Sequence, residues 1–182
     1  IRNLPGKDTL NRWPSILEAE LGEGFEVFKP AMPNKQNAHY REWKIWFERH
    51  FEHLNDGTIL IGESLGGFFL AKYFSEETTP FSVRALFLMA SPIQNMEPTE
   101  RSTEDGGDFE PDITKIAEIS RKAENVFIVH SKDDFVVPYE HALKYKEILP
   151  EAELITFEDK SHFLVEELPE LLTKIREVSK SS

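Results

Sequence analysis

The 182-residue chain contains no cysteine. Disulfides, thiolate zinc sites and a cysteine nucleophile are therefore excluded, and the composition fits a cytoplasmic protein. Long apolar runs are also missing. The longest, residues 85–90, falls far short of the ~20 residues that a membrane-spanning helix needs. The first residues do not read as a signal peptide. Positive charge is scarce: 21 Lys and Arg stand against 33 Asp and Glu, a formal net charge of −12. Such a surface repels nucleic acid and anionic lipid, and no basic stripe with interleaved aromatics offsets it. Neither a nucleic-acid partner nor a membrane span is expected.

What is present suits a packed protein. Hydrophobic residues make up 40% and are spread along the chain, which argues against disorder. The 14 phenylalanines provide aromatic packing. The length suits one domain over residues 1–182 with a substantial core. The chain opens on Ile1 rather than Met.

Periodicity predicts alternating element types. Residues 9–21 read as a helix with Leu10, Trp13, Ile16, Leu17 and Leu21 on one face. Residues 25–28 read as a short strand, which Met32-Pro33 ends. Residues 37–54 read as one long aromatic helix with Tyr40, Trp43, Phe47, Phe51 and Leu54 at three- to four-residue steps. Strands are predicted at 58–61, 83–89, 126–129 and 154–157. Helices are predicted at 113–122, 139–149 and 164–178. The alternation predicts an α/β fold with a mostly parallel sheet covered by helices on both faces. Residues 91–111 lack periodicity and are rich in Pro, Glu, Asp, Thr and Gly. A loop of that length reads as a small lid at most, so a cap is expected to be minimal or absent.

The most informative segment is Thr58-Ile-Leu-Ile-Gly62-Glu63-Ser64-Leu65-Gly66-Gly67. A β-branched run enters a G-x-S-x-G turn, and a helix-like stretch leaves it. That is the strand–turn–helix setting of a nucleophile elbow, which lifts a serine Oγ above a sheet. So tight a turn brings its flanks together, and Gly62 and Gly66 are expected to be the crowded pair. The amide of Leu65 heads the helix and is the expected oxyanion donor.

Two later segments complete a constellation. Val129-His130-Ser131-Lys132-Asp133-Asp134-Phe135-Val136-Val137-Pro138 places carboxylates just past a buried strand. Phe157-Glu158-Asp159-Lys160-Ser161-His162-Phe163 places a histidine just past another. In open α/β sheets chemistry collects at the carboxyl ends of strands. Serine is a poor nucleophile until a base takes its proton, and histidine titrates near neutrality. A carboxylate fixes the imidazole tautomer and stabilises its charged form. Ser64, Asp134 and His162 are the expected catalytic set, with Asp133 as the rival acid.

On these residues the chain resembles the α/β-hydrolase superfamily, in particular the small serine hydrolases related to retinoblastoma-binding protein nine and the bacterial YdeN group. The resemblance extends to Trp13, Met32-Pro33, Trp43, Val137-Pro138 and Ser161-His162-Phe163. It implies hydrolysis of small carboxylic esters or amides through an acyl-enzyme, with no cofactor and no metal. Family members place the acid four residues before the proline, which is Asp134 here. They usually carry histidine before the nucleophile, where this chain has Glu63; an acidic neighbour is expected to weaken or retune activity. They also open with a strand inside the sheet, so the resemblance implies a first strand upstream of Ile1, with a remnant of the second oxyanion loop reaching Gly6. Some relatives are named for a protein partner. The alternative reading is therefore a hydrolase-fold protein of low activity that binds a protein.

Simpler readings accompany the remaining residues. His50 and His53, with Glu48 and Glu52, read as a solvated helix face rather than a metal site. His130 reads as structural. Lys132 and Lys160 read as exposed charge that could steer an anionic substrate. Trp43, Trp46 and Phe47 read as core, and Leu65, Phe68, Met89, Pro92, Ile93 and Met96 as walls of an apolar acyl pocket.

Overall fold

Val-Arg-Ala-Leu-Phe-Leu-Met at Val83–Met89 is buried on nearly every side chain. Only an interior strand of a parallel sheet, covered on both faces, buries so continuous a run. The computed structural model, which describes residues 12–96 and 107–180, places it there. Four strands, β1 (Thr58–Glu63), β2 (Val83–Met89), β3 (Ala123–Ser131) and β4 (Glu153–Phe157), pair in that order, all parallel. Each connection steps the same way across the sheet. Right-handed crossovers then put the connecting helices on one face.

Those helices are α3 (Leu65–Glu76) against β1 and β2, and α5 (Glu140–Ile148) against β3 and β4. The short α4 (Ile119–Lys122) and α2 (Tyr40–Arg49) pack on α3. Leu86, Leu88, Val126 and Ile128 point into the same apolar cluster as Phe68, Tyr73 and Tyr145. The alternate residues Phe87 and Phe127 face the other way, stacked at 4.5 Å, and are also buried. Helix α3 is apolar almost all round. Its Lys72 reaches Glu76 at 3.2 Å and the Glu110 carbonyl at 2.8 Å.

Contacts divide the chain into two compact units: Pro30–Phe163, which holds the sheet, and Ile1–Lys29 with Leu164–Ser182. In the second unit α1 (Trp13–Leu21) packs on α6 (Pro169–Lys180), and Leu17, Leu21, Leu171, Ile175 and Val178 are buried. The Trp13 N–H donates to the Val165 carbonyl at 3.2 Å, and Arg176 donates to the Glu20 carbonyl.

Four expected elements differ. Residues 25–28 form no strand: Phe25 and Val27 are half-buried, Glu26 and Phe28 exposed. Apolar β-formers make a strand only where a neighbour completes the ladder, and among the described residues β1 pairs with β2 alone. The long helix stops at Arg49, and a 3-10 turn covers Phe51–His53. His50 causes the break, because its Nδ1–H donates to the Trp46 carbonyl at 2.7 Å and its backbone N–H drops to Phe47. That side chain occupies the acceptor an α-helix reserves for the amide four residues on. Residues Ile113–Glu118 wind as a 3-10 stretch before α4, opened by Asp112 accepting from the Thr114 N–H at 3.0 Å. The last helix begins at Pro169, as a proline at the first helical position favours.

The elbow follows β1 directly. Ser64 sits at φ 54° and ψ −120°. Its N–H donates to the Met89 carbonyl at 2.9 Å, and its carbonyl accepts from Phe68 at 3.0 Å. A Cβ on Gly62 would lie 2.5 Å from the Gly66 carbonyl oxygen and 2.7 Å from Gly67 Cα. A Cβ on Gly67 would lie 2.7 Å from Ser91 Cβ and 2.9 Å from the Gly62 oxygen. A Cβ on Gly66 would meet nothing within 4 Å. Gly62 thus does meet the backbone of Gly66, as expected, but the two positions closed to a side chain are Gly62 and Gly67, and Gly66 has room for a Cβ. Helix α3 must approach both its own strand and the exit of β2, and only the second of the adjacent glycines faces that junction.

Helix α5 pins the same exit from the far side. Tyr145 Oη donates to the Pro92 carbonyl at 2.6 Å, and Lys144 Nζ reaches Gln94 Oε1 at 2.9 Å. The Ile93 N–H donates to His141 Nδ1 at 3.1 Å. An Nδ1 that accepts belongs to a neutral imidazole. Burial, with Lys144 and His130 nearby, pushes the His141 pKa down to about 4.

Gly67→Ala is expected to destabilise by about 1–3 kcal/mol through overpacking. Gly66→Ala is expected to be neutral or to stabilise by up to about 1 kcal/mol, as glycine-to-alanine changes in helices do. Urea midpoints compare the two, and equal losses would contradict the geometry. His141 yields a pH dependence. The unfolded chain takes up its proton below the ordinary pKa of about 6.5, the folded chain only near 4. Stability is therefore full above about pH 6.5 and falls as the pH drops towards 4. His141→Gln, which keeps an acceptor for Ile93, is expected to show a shallower loss of urea midpoint between pH 7 and pH 5.

Candidate active site

Ser64, Asp134 and His162 follow the carboxyl ends of β1, β3 and β4, and the structure brings all three together. His162 Nε2 is 3.0 Å from Ser64 Oγ. His162 Nδ1 is 2.9 Å from Asp134 Oδ2 and 3.1 Å from Oδ1. A carboxylate only accepts, so Nδ1 carries the proton and Nε2 is left to accept from the hydroxyl. The acid and the imidazole are 9% and 8% exposed, which shields the pair from water and strengthens it.

Each partner is fixed from behind. Asp134 Oδ1 accepts the Val136 N–H at 2.8 Å and the Val137 N–H at 3.0 Å. The buried His130 donates its Nε2–H to the Val137 carbonyl at 2.9 Å and stands 3.5 Å from Asp134 Oδ2. Burial holds the His130 pKa below its ordinary value, so it stays a neutral strut at physiological pH. Asp133, the rival acid, turns elsewhere: its Oδ1 accepts from Ser131 Oγ at 2.5 Å and from the Ser161 N–H at 2.8 Å. The carboxylate that meets the imidazole is Asp134.

His162 lies between two non-glycine residues with left-handed backbone, Ser161 at φ 50° and Phe163 at φ 52°. Each such residue costs on the order of 1–3 kcal/mol and persists only where its surroundings hold it. Phe163 is fully buried edge-on against Phe157, and its N–H donates to the Lys160 carbonyl at 2.9 Å. The Lys160 N–H donates to Ser131 Oγ at 3.0 Å.

Other candidates fall outside this arrangement. Phe68 and Ile93 belong to the core cluster and Met89 is wholly buried, so these three are packing residues; Leu65 and Met96 are half-buried. Trp43 and Phe47 are core, both edge-on to Phe69. Lys132 pairs with Glu158 at 2.7 Å, and Lys160 lies 3.9 Å from Asp159. His53 lies 3.6 Å from Glu52. Among the described residues no group of three or more His, Asp or Glu is arranged to hold a metal ion, and no helix is long and apolar enough to cross a membrane. Leu65 heads α3, where helix geometry leaves the first amides without intrahelical acceptors. The segment reaching Gly6, expected to carry the second oxyanion loop, lies outside the described residues. Reading the sequence missed the hydrogen bonds of Ser131 and Ser161. The Ser-Lys-Asp-Asp run was the available signal, since two adjacent carboxylates after one strand point in different directions.

Similar folds are found among solved structures. The ydeN gene product from B. subtilis superposes with a TM-score of 0.67 at 20% identity, over 81% of this chain and 78% of that one. A meta-cleavage product hydrolase from Pseudomonas fluorescens gives a TM-score of 0.60 at 14% identity, over 80% and 73%. A monoacylglycerol lipase from Paleococcus ferrophilus gives 0.55 at 14% identity, over 80% and 77%. At these identities the likeness is one of fold, that of the α/β-hydrolases: a parallel sheet with helices around it. No curated protein sequence matches significantly. The model of the Serine hydrolase family matches residues 4–175, nearly the whole chain, and the chain belongs to that family.

Proposed function

We propose that this serine hydrolase cleaves small carboxylic esters or amides through an acyl-enzyme, using Ser64 as nucleophile, His162 as general acid and base, and Asp134 as the orienting acid. The observation that carries the reading is one imidazole hydrogen-bonded at 3.0 Å to a hydroxyl and at 2.9 Å to a carboxylate. Ser64 Oγ attacks the carbonyl carbon while His162 Nε2 takes its proton. The oxygen of the tetrahedral intermediate accepts from the Leu65 N–H at the head of α3. His162 returns the proton to the leaving alcohol or amine, whose bond to carbon breaks. A water, deprotonated by the same nitrogen, then releases the acid and restores Ser64. Asp134 holds the Nδ1–H tautomer throughout and stabilises the transient imidazolium.

The sequence between Ala90 and Pro111 is too short to leave much room for a cap domain, which favours a substrate with a small or extended acyl group. A single hydrolase domain over residues 1–182 and a cytoplasmic location, which suits a chain without cysteine, complete the proposal.

Hydrolysis of short-chain nitrophenyl esters tests it. Ser64→Ala and His162→Ala are each expected to lower kcat by at least about 10³-fold, and Asp134→Asn by about 10³–10⁴-fold. Melting temperatures of all three are expected to stay close to that of the wild type. Unchanged turnover in Ser64→Ala would contradict the mechanism. A wild type with no turnover on any ester or amide would favour the alternative, a hydrolase-fold protein that binds a protein partner.

A further inference from the structure

Two loops must meet for the site to exist. One carries Asp134 after β3 and the other carries His162 after β4, 28 residues apart. Beyond the Asp134–His162 pair itself, a connected set of hydrogen bonds, one within the first loop and two crossing to the second, ties the residues before His162 to the end of β3. Ser131 Oγ donates to Asp133 Oδ1 at 2.5 Å, the Ser161 N–H donates to the same oxygen at 2.8 Å, and the Lys160 N–H donates to Ser131 Oγ at 3.0 Å. The chemistry is self-consistent. A hydroxyl has one proton to give and lone pairs to receive with, and a carboxylate oxygen accepts two donors. Ser131 is fully buried, whereas Asp133 is exposed. The bonds therefore run from the protein interior outward to the two amides that precede His162.

The location of these amides gives the cluster its meaning. Ser161 and Phe163, on either side of His162, hold positive φ, a conformation that non-glycine residues leave when released. Phe163 is fixed by burial. Ser161 is only half-buried, and the Asp133 carboxylate is what binds its amide. Loss of that bond frees the residue before His162 to relax, and the imidazole swings on its one remaining anchored side.

We propose that Asp133 and Ser131 form a latch that positions His162 against Ser64, and that they are positioning residues of the hydrolytic reaction although neither touches the reacting atoms. The inference rests on the triad reading above. The Asp133 carboxyl is held below the usual carboxylate range, chiefly by the Ser131 hydroxyl and then by the Ser161 amide, as expected of a group that accepts two strong donors.

The test compares Asp133→Ala, Asp133→Asn and Ser131→Ala in ester hydrolysis, with melting temperature as the check on folding. Misplacement of a catalytic group by about 1 Å costs up to roughly 100-fold, so Asp133→Ala is expected to lose about 10- to 100-fold in kcat with KM within about twofold, while Asp133→Asn, whose Oδ1 accepts the same two donors, stays within about threefold of wild type. Ser131→Ala is expected to fall with Asp133→Ala. Amide hydrogen exchange supplies a readout independent of turnover: Lys160 and Ser161 are expected to lose protection in Asp133→Ala and to keep it in Asp133→Asn. A wild type that hydrolyses nothing would overturn the triad reading. An active wild type alongside an Asp133→Ala variant of undiminished kcat would overturn the latch alone. So would equal losses in Asp133→Asn and Asp133→Ala, or an effect confined to KM.

Discussion

One imidazole with two different neighbours is the interaction on which the rest of the site depends. His162 has to accept from a hydroxyl at one nitrogen while donating to a carboxylate at the other, and each bond fixes what the other can do. The Asp134 carboxylate at 2.9 Å commits Nδ1 to carrying the proton, which leaves Nε2 as a lone pair aimed at Ser64 Oγ at 3.0 Å. Neither bond forms unless three chain ends converge. The sheet supplies that convergence, because parallel strands end on the same side and Ser64, Asp134 and His162 each follow the end of one of β1, β3 and β4.

Convergence to ångström precision requires more than strand order. The elbow holds Ser64 at a φ that a non-glycine residue seldom adopts, which demands the close approach of Gly62 and Gly67 to each other and of Gly67 to Ser91. Ser91 and Pro92 are in turn fixed by Tyr145 from α5. The acid is clamped by two backbone amides and braced by a neutral His130, and the histidine loop is strained on both flanks. Local strain of this kind survives where the surroundings over-determine it. The surroundings here are short-range hydrogen bonds and buried aromatic rings rather than surface charge. The strongly negative surface serves solubility more than architecture, since exposed ion pairs contribute little.

Much of this was legible in the order of residues. An apolar run such as Val83–Met89 admits few fates besides an interior strand, and glycines flanking a serine between strand and helix specify a turn. The positions of Asp134 and His162 just past strands follow from the same reading. What escaped it depended on partners distant in sequence. Residues 25–28 have the composition of a strand but lack a ladder neighbour among the described residues. The helix over 37–54 breaks because one histidine side chain takes a carbonyl that periodicity assigns to the backbone. Gly66 and Gly67 are indistinguishable as letters, and only the position of Ser91 decides which is required. Asp133 and Asp134 are likewise equivalent until the loop bearing Ser161 is in place.

The central claim is that Ser64 is an activated nucleophile because His162 and Asp134 make it one. Reaction of the intact protein with a fluorophosphonate, followed by mass-spectrometric mapping of the modified peptide, tests this most directly. The account predicts a single adduct on Ser64, formed with loss of fluoride and abolished in His162→Ala. An adduct on another residue, or no adduct on a folded protein, would contradict it.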